Sequence, residues 1–507
     1  MDKIFVSSFI ASKPLELALK ILSSILFLVL SFVLFYFHEP WRDELQAFSL
    51  VRNSHSISEL YQMVRYEGHP LGWYILQKGV YFFNPNFITI RFVHWSLAAI
   101  GVIILIWKAP FPIIYRILIP FGYFFTYEYS AIARNYGIAL PFYMLLCILF
   151  SRKKYLLFGF ITAIAMQFSL YSFIISFSVS IFYFFHYKQQ KNIAWYAGIL
   201  FTLIGIFLFT LSVNTPDDIG TSPGWNLNPD RYTAAFSVIA NAFFTVFKFD
   251  IHFWNNSFFQ TFLNYDFTQA VQFVLSIFIL GWMIKTLSKN KISLYIFITG
   301  TAIMMFFMAA KYHGSVRHHG HLYILFLMTL WIGNTIQSNV LQPFSFSKKT
   351  KSFILFFPEK YGSKFFILVL VLQIVGSLQA TYFEIKYPFS DSQQVAEFLQ
   401  KNYPNNLVIS CSDGPGTAVS ITMAKQFFYP NSFSWRENLC FNNKRGDIGY
   451  STLIAQCERF FLDHPNGVLL ISKSTSTLDF IDKIPYKKIK DFQPAIREDE
   501  SYILFKK

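Results

Sequence analysis

Apolar residues run along this chain in long, nearly unbroken stretches separated by short polar or basic intervals. That pattern differs from the alternation of a half-buried strand and from the one-sided stripe of a surface helix. Leu15 to Phe37 is almost entirely Leu, Ile, Val, Phe and Ser, long enough for a hydrocarbon core that needs roughly 20 apolar residues. Similar stretches recur near 87–107, 113–129, 137–150, 156–170, 172–186, 193–213, 268–285, 292–310, 321–336 and 364–383. Together they predict an α-helical polytopic membrane protein with about eleven transmembrane helices. His69 to Phe83 is also apolar, but it is short and carries Lys78. Counting it as a span would invert every later one, so it is predicted as an interfacial helix along the outer surface.

The basic clusters set the sidedness. Arg152-Lys153-Lys154, Lys188 to Lys191, Lys285 to Lys291 and Lys348 to Lys351 are predicted to be cytoplasmic. Residues 38–86, 130–136, 214–267, 311–320 and 384–507 then face the other side. The loop Asn214 to Tyr232 contains Pro216, Gly220, Pro223, Gly224 and Pro229, too many turn residues for regular helix. It is either a cover over a site or a plain connector.

Beyond Lys386 the pattern changes. Ser392 to Lys401 and Ser451 to Asp463 carry apolar residues at helical spacing, whereas Leu407 to Cys411, Gly467 to Ser472 and Tyr502 to Phe505 read as strands. The chain therefore divides into a multispan domain, 1–384, with a first outer loop at 38–86, and a small extracytoplasmic α/β domain, 385–507. Cys411, Cys440 and Cys457 allow three pairings, none of which the sequence selects.

Composition agrees with a membrane protein. Hydrophobic residues make up 54% and charged residues only 14%, against about 25% charged in soluble proteins. The net charge of +15 lies in short interhelical clusters rather than along one stripe, which argues against a nucleic-acid partner. Lys3 and Lys13 precede the first apolar run, and no small-residue cleavage site follows it, so the first helix is read as retained. The absence of retention signals makes a bacterial inner membrane the simpler assignment.

Three candidate features fall on the outer side. Asp43-Glu44 follows the first span directly. Glu128 to Tyr136, with Arg134, interrupts two apolar stretches at a depth where ionisable groups are costly. Lys311 to His321 concentrates Arg317, His313, His318, His319 and His321. Each has a plain reading: Asp43 and Glu44 as the acidic first turn of a helix, Arg134 as an interfacial anchor, the histidines as a solvated outer loop. A divalent metal would have only the pair His318 and His321 as its core, because adjacent His318 and His319 point apart, and no cofactor is firmly implied. The chemistry that unites the three is glycosyl transfer from a lipid phosphate. A carboxylate takes the proton of the attacking hydroxyl while Arg134 and Arg317 stabilise the leaving phosphate.

In residue order the chain resembles the GT-C superfamily of integral membrane glycosyltransferases, in the branch of protein O-mannosyltransferases and aminoarabinose lipid A transferases. The resemblance is carried by Asp43-Glu44, by His69-Pro70-Leu71 with Gly68 before and Tyr74 after, by Arg91, and by Ala133-Arg134-Asn135-Tyr136. It covers about the first 150 residues, and the element reads His-Pro-Leu-Gly where many relatives have His-Pro-Pro-Leu. It implies Asp43 as catalytic base with Glu44 as its companion, and Arg134 at the donor phosphate; Arg317 and His318, in a segment with no counterpart in the family, are assigned to the donor phosphate from their own chemistry. His69 and Tyr136 would position substrate. The implied reaction is inverting transfer from a polyprenyl-phosphate sugar donor to a glycan, lipid or protein acceptor, without a bound metal in many relatives. A lipid or glycan transporter or flippase is the alternative from another class, although no internal repeat or paired broken helix is evident. An inactive assembly subunit with the same fold is the third.

Overall fold

The computed structural model describes residues 12–220, 224–336, 359–446, 449–474 and 481–507. Lys3, Pro223 and the basic cluster Lys348 to Lys351 lie outside them. Among the described residues six helices are long and apolar enough to cross a bilayer: Lys13–Phe37, Phe87–Lys108, Ile193–Ser212, Tyr265–Leu287, Lys291–Ala310 and Gly362–Lys386. Leu22, Val29, Leu200, Phe207, Val274 and Leu378 on these helices point outward and exposed, as side chains facing lipid do.

The remaining predicted spans do not meet that description. Gly137–Phe150, Tyr155–Ala165 and Leu170–His186 are shorter apolar helices, of 10–17 residues. The stretch 113–129 is broken into the helix Ile113–Leu118, a tight turn at Ile119–Phe121 and a π-helical turn at Phe124–Glu128. Pro120 has no N–H to continue the ladder, and Gly122 is extended. The stretch 321–336 belongs to the helix Val316–Thr335, which is buried on nearly every side. It packs against Leu140–Phe150, Leu170–His186, Lys291–Ala310 and a helix the sequence pattern had left unassigned, Pro229–Phe243. Buried Ala235, Val238, Ile239, Ala242 and Phe243 keep the helical spacing, so the signal was present inside a segment read as outer loop. An all-round apolar helix reads alike whether its neighbours are lipid or protein.

Residues 38–86, read from the sequence as the first outer loop, fold into three helices, Arg42–Asn53, Ile57–Val64 and Gly72–Phe83. The third, of 12 residues, packs on the first, and Lys78 Nζ donates to the carbonyl of Val51 (2.9 Å). That bond explains a lysine within an apolar stretch.

The C-terminal residues form a six-stranded sheet. Its strands are β1 (Val408–Ser410), β2 (Phe427–Tyr429), β3 (Ser434–Arg436), β4 (Val468–Ser472), β5 (Lys487–Asp491) and β6 (Tyr502–Lys506), in the order β3-β2-β1-β4-β6-β5. The three central strands are parallel and the others antiparallel. Alternation sends Val408 and Leu470 to the layer with helix Ser392–Asn402, and Ile409 and Leu469 to the layer with helix Tyr450–Asp463. The short β2 and β3, the exposed Lys-rich β5 and helix Asp413–Met423 were not legible beforehand. Cys411 and Cys457 share the second layer, and all three cysteines of the sheet domain are free thiols.

This sheet domain docks on helix Arg42–Asn53. Leu45 packs on Ala418 and Ile421, and Gln46 forms two bonds with the Leu439 backbone (2.8 and 2.9 Å). Ser49 and Arg52 both bond Glu437. One short helix is thus held by both halves of the molecule.

Candidate functional site

Helix Arg42–Asn53 begins where the first long helix ends, and its first turn carries the adjacent acids Asp43 and Glu44. Side chains one position apart on a helix diverge by about 100°, so the two acids cannot share an environment.

Glu44 turns inward and is fully buried. Its Oε1 accepts from the Ala133 N–H (2.6 Å), and its Oε2 accepts from the Trp41 N–H (3.3 Å) and from His38 Nε2 (2.8 Å). His38 Nδ1 reaches Glu384 Oε1 (2.8 Å). Carboxylates only accept, so both ring nitrogens donate and the imidazole is charged. Burial alone would discharge His38, but the carboxylates of Glu44 and Glu384 outweigh it and raise its pKa to about 9. Arg91 clamps the same corner by donating to the carbonyls of Phe35 (2.7 Å) and His38 (2.6 Å). Glu44, expected at the catalytic centre, instead fastens the start of the helix to the Ala133 segment.

Asp43 turns the other way, into a cavity of about 350 Å³. Its Oδ2 lies 3.5 Å from Arg317 Nη2 and 3.8 Å from Arg134 Nη2, and Arg42 Nε lies 3.8 Å from Oδ1. Burial would raise its pKa, but Arg134, Arg317 and Arg42 hold it below the usual carboxylate range, so Asp43 is ionised at neutral pH. The arginines stand at Coulombic rather than short hydrogen-bond distance, and the Nε atoms of Arg134 and Arg317 are buried without partners. Such guanidinium groups retain donors for another anion.

Each arginine is held by its backbone context. The π-helical turn at Phe124–Glu128 leads into a buried irregular run ending at Arg134, whose Nη1 donates to the Asp43 carbonyl (2.6 Å). Arg134 Nη2 also faces His69 Nε2 (3.3 Å). Because a guanidinium only donates, Nε2 accepts and the His69 proton sits on Nδ1. Burial and Arg134 push the pKa of His69 down to about 3. Gly68, at φ +66°, supplies the left-handed turn that aims His69. Arg317 lies over the rings of Trp41 and Trp254, 5.2 Å from each centre, and Trp254 Nε1 in turn donates to Glu128 Oε2 (3.0 Å).

His318 Nδ1 accepts the Ser315 N–H (2.8 Å), which leaves Nε2–H to donate to the Tyr136 hydroxyl (2.8 Å). The segment whose plain reading was a solvated outer loop forms the buried start of the helix Val316–Thr335. His318 faces the Asp43 cavity and His319 faces away from it, as adjacent positions must. Among the described residues no group of three His, Cys, Asp or Glu could hold a metal ion.

Asp43, His69, Arg134, Tyr136, Arg317 and His318 all line the one cavity, and Glu44 does not. Lys311 and Tyr171 join them, as does Glu67. Burial raises the Glu67 pKa to about 7 even though Gln46 Nε2 donates to it (2.9 Å). Its signal was its place one residue ahead of the Gly68-His69 element. The roof is made by Thr215 and Ile219 from the turn-rich loop and Phe441 from the sheet domain. Gly220 N–H donates to Phe441 O (2.9 Å) and Asn443 N–H to Asp218 O (2.7 Å), so this loop is a cover as well as a connector.

No protein-family model matches the chain, and no curated protein matches it.

Proposed function

We propose that this protein is an inverting glycosyltransferase of the GT-C type, moving a sugar from a polyprenyl-phosphate donor to an acceptor hydroxyl at the outer face of a membrane. The observation that carries the reading is an ionised Asp43 facing a cavity beside Arg134 and Arg317, two cations with unused donors.

In this reaction the acceptor oxygen bonds to the anomeric carbon as the bond from that carbon to the phosphate oxygen breaks. The acceptor proton passes to Asp43. The departing lipid phosphate carries the developing charge, which Arg134, Arg317 and nearby Lys311 stabilise. An acid held at low pKa by two arginines is a weak base, and here substrate resolves the difficulty. A phosphate drawn between the guanidinium groups cancels part of their field and raises the proton affinity of Asp43. Tyr136 and Tyr171 offer aromatic faces to a sugar, and Leu170, Ile219 and Phe307 offer apolar contact near the lipid end.

The outer-face orientation is supported by three helices. Leu140–Phe150 and Leu170–His186 begin beside the cavity and end at Arg152-Lys153-Lys154 and Lys188, while Lys291–Ala310 begins at a basic cluster and ends beside Lys311. The cavity and the basic clusters thus lie at opposite ends.

The test is transfer by the purified full chain in lipid discs, supplied with labelled polyprenyl-phosphate sugars and a membrane extract as acceptor source. Asp43→Asn should lower transfer at least about 100-fold while melting and donor binding persist. Undiminished transfer by that variant would remove Asp43 as base, and donor movement across the disc without transfer would favour the flippase reading.

A further inference from the structure

A second cavity, of about 180 Å³, lies on the other side of the segment Lys311–His319. Lys311, Tyr312, Arg317 and His318 face the first cavity, whereas His313, Ser315 and His319 face the second. The remaining walls come from the helices Pro229–Phe243 and Tyr265–Leu287 and the loop between them.

Its chemistry contrasts with that of the first. Among the described residues no Asp, Glu, Lys or Arg lines it; amide and hydroxyl groups do, beside the rings of Phe247 and Tyr265. The carbonyl oxygens of Asn255 and Gln260 each accept a backbone N–H, from Val316 (3.2 Å) and Ser257 (3.0 Å), which leaves their amino groups as donors. Two of its lining residues each carry a buried polar atom with no hydrogen-bond partner among the described residues. The Thr268 hydroxyl is one, on a residue 2% exposed; His319 Nδ1 is the other, on a residue 3% exposed. His319 Nε2 lies 3.2 Å from the His313 carbonyl, which can only accept, so Nε2 carries the proton and Nδ1 presents a lone pair. Leaving such groups unpaired is costly, and a ligand that offers them hydrogen bonds recovers the cost.

We propose that this cavity is a binding site for a neutral saccharide, accommodating about one monosaccharide unit, distinct from the site at Asp43. A phosphate or a sugar acid would find no cation among the lining residues, and an acyl chain would leave Thr268 and His319 unpaired. Adjacent hydroxyls on a pyranose supply both donors and acceptors at the spacing that neighbouring amide, hydroxyl and imidazole groups require, and its C–H face suits an aromatic ring. The cavity is smaller than the 300–1,000 Å³ typical of drug-sized ligands, which fits a single ring.

The inference does not depend on transferase activity, because binding is measured without donor. Saturation-transfer NMR on the full chain in lipid discs is carried out with the methyl glycosides of mannose, glucose and galactose, and with glucuronate and inorganic phosphate for comparison. At least one glycoside should saturate with a dissociation constant of about 1 mM, while glucuronate and phosphate do not compete for it. Thr268→Val should weaken that binding about fivefold or more, Thr268→Ser should retain it, and Asp43→Asn should leave it unchanged, with all three variants melting as the parent does. Failure of every glycoside to saturate by about 50 mM would overturn the proposal. So would binding that survives Thr268→Val intact or is lost in Asp43→Asn, since the sugar would then occupy another site. Thr268→Val and Thr268→Ser failing together would equally count against a role for the hydroxyl.

Discussion

At the scale of the residue, the site turns on charges that balance without closing on one another. Asp43 keeps its charge because Arg134, Arg317 and Arg42 surround it, yet none of them approaches closely enough to quench it. Replacing Arg134 with Gln removes one stabilising cation, so the Asp43 pKa rises, and the acid limb of a pH profile of kcat/KM should move to higher pH. An unchanged limb with reduced kcat/KM would mean that Arg134 acts on substrate alone. His38 makes a separate prediction. Its pKa is raised from 6.5 to about 9 by two carboxylates, so the stability it adds is complete below pH 6.5 and is lost as the pH rises through 9. That difference corresponds to on the order of 3 kcal/mol. Thermal melts of the parent should fall across this window and those of His38→Gln should be nearly flat; an equal slope in both would contradict the linkage.

At the scale of the element, helix Arg42–Asn53 is the part on which the rest converges. Its first turn supplies Asp43 to the cavity and Glu44 to the buried corner, and its later turns meet the sheet domain through Leu45, Gln46, Ser49 and Arg52. Gln46 alone bonds the Leu439 backbone in both directions and also bonds Glu67. Gln46→Ala should therefore cost about 1–3 kcal/mol and lower transfer more than it lowers donor binding, since it loosens the helix that carries the base. Transfer at the parental rate would show that docking here does not position Asp43. The acidic pair was legible as a motif, and its plain reading as a helix start is right for both acids. The structure divides them, with Asp43 at the cavity and Glu44 in the buried corner.

At the scale of the molecule, the cavity is closed by parts distant in sequence. The loop that carries Ile219 pairs as an isolated antiparallel bridge with Asn442 of the sheet domain. Directly opposed residues of an antiparallel pair have Cα atoms about 4.5–5.5 Å apart, within the range a disulfide spans. Ile219→Cys with Asn442→Cys, in a Cys440→Ser background, should form a bridge that lowers transfer about tenfold or more when oxidised and restores it on reduction, if the roof opens to admit substrate. Equal transfer by both redox forms would mean that entry runs through the membrane side instead.

The apolar runs, the basic intervals and the shift to an α/β pattern after Lys386 came from the chain alone, because solvent and bilayer select for them through composition and period. So did the residues that line the cavity: four of the six predicted ones, Asp43, His69, Arg134 and Tyr136, lie in three short motifs within the first 136 positions, and Arg317 and His318 lie in one dense polar cluster. What the order of residues could not decide was direction. Whether Asp43 or Glu44 faces the cavity depends on which side of a short helix the Ala133 segment and His38 cover. Whether an apolar stretch stays exposed, as Ile193–Ser212 largely does, or is covered by protein, as Val316–Thr335 is, depends on neighbours brought in from elsewhere in the chain. Adjacent residues point apart for local reasons, but only tertiary packing determines what each of them meets.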